Sequence, residues 1–228
     1  MGVHDGHRER LRQRFLEHGL DNFNELNALE LLLFFSVPRR DTNPLAHALL
    51  DRFGSLAALF EASEQELKDV KGVGENTVAL IRLVPQIMRR SGTARADNIK
   101  HICNSEDAGE YFVPRFMGER DEVVLLLCLD SQRRVISCTE MGRGVVNSVE
   151  TSIRRMVETA LKCKATSVIL AHNHPDGNAL PSEEDNMVTQ RAAKAFALMG
   201  IQLADHIIVA DDDFVSFLDS GMLDLYFY

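Results

Sequence analysis

The sequence predicts an α+β fold in two parts. Residues 1–92 form an all-α domain, and residues 101–228 form a mixed sheet flanked by helices, with a linker at 93–100. Three observations lead there. Apolar residues recur at helical spacing as far as residue 90. Beyond residue 100, short apolar runs alternate with amphipathic stretches, the pattern of strands interleaved with helices. Between the two lies a small, polar stretch, Ser91-Gly92-Thr93-Ala94-Arg95-Ala96-Asp97-Asn98. At 228 residues the chain is long enough for one or two domains.

In the first part, Leu11, Phe15 and Leu16 sit at helical spacing over residues 8–18. A Leu-rich helix over 25–36 is stopped by Pro38. Asp41 or Thr42 opens the next helix, which buries Ala46, Leu49, Leu50 and Phe53 and closes at Gly54. Ser63-Glu64-Gln65-Glu66 is a capping-box pattern for a short helix, and a longer one runs from Glu75 to about Arg90. In the second part, Val123 to Leu129 is a continuous apolar run, as a strand buried on both faces requires. A strand over 134–141, a helix over 153–162 and a strand from Ser167 to His172 follow. A helix from Asn186 to Met199 ends at Gly200. Two more strands, 202–210 and 214–217, are separated by the turn Asp211-Asp212-Asp213.

Composition narrows the function. The net charge of −9 excludes nucleic-acid binding by bulk charge, since phosphate contacts need clustered Lys and Arg. The acidity is uneven: residues 1–92 carry 12 basic and 13 acidic side chains, and residues 93–228 carry 13 and 21. No run of 18 apolar residues and no apolar signal core is present, so a cytoplasmic protein without a membrane span is expected. Cys103, Cys128, Cys138 and Cys163 contain no C-x-x-C pair and read as free thiols, three of them in apolar stretches.

The chemistry is concentrated in Ala171-His172-Asn173-His174-Pro175, followed by Asp176-Gly177 and Pro181-Ser182-Glu183-Glu184-Asp185. Residues two apart at a strand end point to one face, so His172 and His174 present two imidazoles together. Pro175 and Gly177 turn the chain, and Asp185 returns near the next helix start as an oxygen ligand. Two His and one carboxylate leave the fourth position of a Zn²⁺ ion open, the arrangement of a catalytic rather than a structural site. Ser182 and Asp185 also have a local explanation, as a helix N-cap with an acidic first turn. His206 reads either as a packed strand residue or as a group behind the ligands, and Asn173 points away from the metal face.

The spacing His-x-His-Pro-x₆-Ser-x-x-Asp, with Ala204-Asp205-His206-Ile207-Ile208-Val209 downstream, resembles the JAMM motif of JAB/MPN domains, and the RadC family in particular. One departure is Asp176, where that family commonly has Ser. The resemblance spans most of residues 100–223. It implies hydrolysis of a peptide or isopeptide bond in a peptide or protein substrate by zinc-activated water. His172, His174 and Asp185 would hold the metal, Ser182 would stabilise the oxyanion, and a Glu from an upstream strand would serve as general acid and base. Glu140 is the choice for that Glu. It shares a strand face with Ile136 and Cys138, and a carboxylate on such a face calls for a polar partner. Glu150 and Glu158 are the alternatives.

In the first part, Gly72-Val73-Gly74 before a helix resembles the turn of a helix–hairpin–helix motif, whose backbone N–H groups can hold a DNA phosphate. Glu75 stands where such a helix usually starts with Pro or Lys. The alternative expectation is therefore a non-enzymatic repair- or recombination-associated factor that contacts DNA through Gly72, Val73 and Gly74.

Overall fold

The chain was analysed as a computed structural model that describes the backbone of residues 3–144 and 149–223 and the side chains of 6–144 and 153–223. It divides into two units, residues 1–87 and 88–228.

The first unit is helical for the reasons the sequence gives. Helix α1 (Val3–His18) precedes α2 (Glu25–Leu33), whose Asn24 side chain accepts from the Asn27 N–H at 2.8 Å. Helix α3 (Asn43–Phe53) closes at Gly54, where φ is 84°. Helix α4 (Leu56–Glu61) starts from Ser55, and α5 (Glu64–Lys68) from the complete capping box of Ser63 and Glu66. Leu29, Leu33, Leu49, Leu59, Leu67 and Ile81 form the buried core.

Helix α6 (Glu75–Ala96) runs through the division between the units and takes in the first half of the linker expected at 93–100. The small residues at 91–96 serve close helix packing instead of a loop. A Cβ on Gly92 would lie 2.8 Å from Pro114 Cβ in α7 (Ser105–Phe116). Helices α4 and α7 go beyond the elements expected from the sequence.

The second unit continues with β1 (Val123–Leu129), β2 (Val135–Arg143), α8 (Val149–Lys162), β3 (Ser167–Asn173), α9 (Glu183–Leu198), β4 (Gln202–Ala210) and β5 (Asp213–Ser216). The five strands lie in the order β2-β1-β3-β4-β5. Among the described strands only β3 and β4 pair in parallel, joined through α9. Helix α7 covers one face through Phe112 and Phe116 against Leu127, Ile169 and Ile207. Helices α8 and α9 cover the other through Met156, Ala160, Ala192 and Phe196 against Leu126, Cys128 and Leu170. Burial on both faces is why β1 and β3 read as unbroken apolar runs.

All four cysteines are free thiols, and burial pushes the Cys128 thiol up to about 12, where it is inert. Among the described residues, no helix is long and apolar enough to cross a membrane.

Gly109 lets α7 sit down on the sheet, because a Cβ there would lie 2.2 Å from the Phe214 ring of β5. Gly109→Ala gains about 1 kcal/mol of helix propensity but forces the ring aside, at a typical cost of about 1–3 kcal/mol. Overpacking therefore wins, and the urea unfolding midpoint is expected to fall.

Candidate metal centre

His172 lies in the last turn of the buried pleat of β3, in phase with Val168 and Leu170, and so faces α8 and α9. It is paired with Val124 on β1 and Ile208 on β4. His174 follows just past the strand end, where its N–H still donates to Val209 O at 2.8 Å. The chain then turns through Gly177, at φ 77°, and enters α9, which carries Asp185 back to the two rings.

The three side chains converge. His172 Nε2 is 3.0 Å from His174 Nε2 and 3.0 Å from Asp185 Oδ1, and His174 Nε2 is 3.4 Å from Asp185 Oδ2. Ligand atoms held at about 2.0–2.1 Å around a tetrahedral zinc stand about 3.3 Å apart, so the spacing is compatible with a metal between them. The proton on His174 supports this. Its Nδ1 is 2.6 Å from the Asn178 carbonyl, which can only accept, so Nδ1 carries the proton and Nε2 offers a lone pair. Two His and a carboxylate fit a divalent metal with an open position, and the same donor set also serves non-haem iron. Burial pushes the Asp185 carboxyl up, but its contacts with His172 and the hydrogen bonds from Ser182 outweigh this and hold it well below the usual carboxylate range.

Ser182 fills the local role read from the sequence, that of helix N-cap. Its Oγ accepts from the Asp185 N–H at 3.1 Å as the N-cap of α9, and its hydroxyl and N–H donate to Asp185 Oδ2 at 2.6 and 2.8 Å. It fixes the carboxylate and borders the same cleft as the two His.

Glu140 is not brought to this group. It does share a face with Cys138, as expected, but that face is the wrong one. Glu140 pairs with Leu125 and Cys138 with Leu127, and these residues belong to the α7 side. The Glu140 carboxylate accepts from Arg143 at 2.9 Å, and Arg143 in turn pairs with Glu119. Of the alternatives, Glu158 is exposed and paired with Arg154 at 2.9 Å, while the Glu150 side chain lies outside the described residues.

Besides Asp185, the carboxylates of Asp121, Glu122 and Glu184 line the His172 cleft, and Glu122 is the one in phase with β1. It precedes Val124 by two residues, and Val124 lies directly opposite His172, so strand alternation puts Glu122 on the metal face. Asn173 holds it there from the other face. The Asn173 Oδ1 accepts from Val123 N at 2.8 Å and its Nδ2 donates to Asp121 O at 3.1 Å, clamping the backbone on both sides of Glu122. Sequence reading missed Glu122 because only the pairing of β1 with β3 shows its neighbour. The available signal was its phase with Val124.

Behind His172, its Nδ1 is 2.9 Å from His206 Nε2, and His206 Nδ1 is 2.6 Å from Thr189 Oγ1. Burial, with His172 alongside, holds the His206 ring well below the usual histidine range, so it stays neutral.

In the first unit, Gly72 adopts φ 100° and α6 starts at Glu75, as the hairpin reading requires. Lys68 and Arg82 beside it both pair with Glu64, at 2.6 and 3.5 Å, which offsets their charge.

A mixed sheet with a His pair at a strand end and a carboxylate returned by the next helix defines an α+β domain with a cluster of candidate metal ligands. A family model described as the RadC-like JAB domain matches residues 102–222, and the chain belongs to that family.

Asn173→Leu is expected to lower unfolding stability by about 1–3 kcal/mol, because it leaves the buried Val123 N–H without its partner. Ser182→Ala is expected to cost about 1 kcal/mol through loss of the cap. Chemical denaturation measures both.

Proposed function

We propose that the chain is a zinc-dependent hydrolase that cleaves a peptide or isopeptide bond. The observation that carries this reading is the convergence of His172 Nε2, His174 Nε2 and the Asp185 carboxylate in a cleft that Glu122 also lines. A zinc ion held by these three would polarise a carbonyl and lower the pKa of a water toward ~7. Glu122 would take the proton of the attacking water and pass it to the leaving amine. Ser182, at the rim, would turn its hydroxyl from Asp185 toward the carbonyl oxygen as negative charge develops there. Val124, Met141, Met156, Leu170 and Val188 give the cleft apolar walls, where these polar groups act more strongly than in water. Belonging to the JAB superfamily supports the reaction class.

Metal analysis of freshly purified protein is expected to find about one zinc per chain, lost in His174→Ala. Iron in its place, or no metal, would overturn the reading. Glu122→Gln should keep the zinc and slow cleavage of a fluorogenic peptide library by about 10²–10⁴-fold, while Glu140→Gln leaves it unchanged. The reverse result would return the proton-transfer role to Glu140.

The alternative, a DNA contact through Gly72, Val73 and Gly74, is less well supported because Glu64 and Glu75 flank the hairpin. A gel shift at low salt is expected to show no complex. A complex whose affinity falls steeply with salt would favour the DNA reading.

A further inference from the structure

We propose that Thr189 and His206 are positioning residues. They form a hydrogen-bond relay that sets the tautomer of His172, so that its Nε2 faces the metal position with a lone pair. The inference rests on the metal-site reading above and concerns residues that touch neither metal nor substrate in it.

The relay can be read one proton at a time. Thr189 Oγ1 is 2.5 Å from the Asp185 backbone carbonyl. A carbonyl has no hydrogen to give, so the hydroxyl must donate its single proton there. Toward His206 Nδ1, at 2.6 Å, the same oxygen can only accept, and His206 therefore carries its proton on Nδ1. The Nε2 of this neutral ring is then an acceptor, and His172 Nδ1, at 2.9 Å, must be its donor. With Nδ1 as the donor to His206, His172 turns its Nε2 to the metal position that His174 Nε2 and the Asp185 carboxylate share. The opposite order would turn the hydroxyl proton to His206 and leave two oxygen lone pairs facing each other at 2.5 Å, a repulsive contact.

The relay has little freedom to slip. Thr189, His206 and His172 are all buried, so water does not offer alternative partners. The His206 ring stacks on Phe217 at 4.8 Å between centroids, which fixes its plane. The path also closes on itself. Asp185 supplies the carboxylate at the metal position and the carbonyl that starts the relay, because Thr189 lies one helical turn further along α9. Helix α9 thus places one ligand and sets the proton on another. Outer hydrogen bonds of this kind orient metal-ligating imidazoles and typically change metal affinity about 10- to 100-fold when removed.

The test uses the full chain labelled with ¹⁵N-histidine, metal-free, and a chelator competition for zinc. Long-range ¹H–¹⁵N spectra are expected to show His172 and His206 both protonated on Nδ1. Thr189→Val, checked as folded by near-UV circular dichroism, should move the His206 proton to Nε2 and weaken zinc binding about 10- to 100-fold. Thr189→Ser, which keeps the hydroxyl, should restore both the tautomer and the affinity. A folded Thr189→Val that binds zinc like the parent, or a Thr189→Ser that falls as far as Thr189→Val, would overturn the relay. A parent chain that binds no zinc would overturn the metal reading instead. The relay would then be decided by the tautomers alone, and a His206 protonated on Nε2 would sink it.

Discussion

The pairing of β1 with β3 is the constraint on which the site depends. The register places Val124 against His172, and strand alternation then carries Glu122 to the His172 face two residues earlier. Asn173 secures the register from the opposite face by bonding the backbone on either side of Glu122. A slip of one residue would turn every side chain of β1 over and remove Glu122 from the cleft. The two faces of the strand end are therefore coupled, one holding the geometry and the other presenting His172 and Glu122 to the cleft.

Burying five polar side chains near the sheet centre and its end would be costly if any lacked a partner. His172, Asn173, Thr189, Asp205 and His206 are all buried, and each is hydrogen-bonded. Asp205 accepts from Ser216 Oγ at 2.6 Å and from Leu218 N at 3.0 Å, tying the end of the sheet to the segment after β5. The adjacent residues Asp205 and His206 thus serve opposite faces: the acid closes the fold and the imidazole backs the His172 ring. Fully satisfied networks of this kind admit few alternative arrangements, which keeps the cluster preorganised.

Local features were legible in the sequence. The Ser63 capping box, the buried strand Val123–Leu129 and the strand Gln202–Ala210 appear as expected, because caps and apolar runs depend on near neighbours. One strand, one turn and one helix start likewise bring His172, His174 and Asp185 together, with Ser182 capping that helix. Glu140 shows where such reading stops. Period-two alternation correctly groups Glu140 with Cys138, yet it cannot say which face of the sheet the pair occupies. That answer came from β1, whose Leu125 and Leu127 carry both residues to the α7 side. The segment at 91–96 failed for a related reason, since small residues mark a loop or a close helix contact equally well, and only Pro114 of α7 distinguishes them.

The sequence by itself determined the two-part α+β organisation, the cluster of potential ligands and the acidic character of the second part, all of which follow from composition, periodicity and short-range spacing. Tertiary structure alone brought Glu122 into the cleft of the His pair and set which partners bond to the His rings. Glu122 reaches the site through an antiparallel neighbour 50 residues away, measured from Val123 to Asn173. The chain from Thr189 through His206 to His172 joins a helix to two strands. Such relations are set by strand register and by the face a helix covers, and neither leaves a periodic trace along the chain.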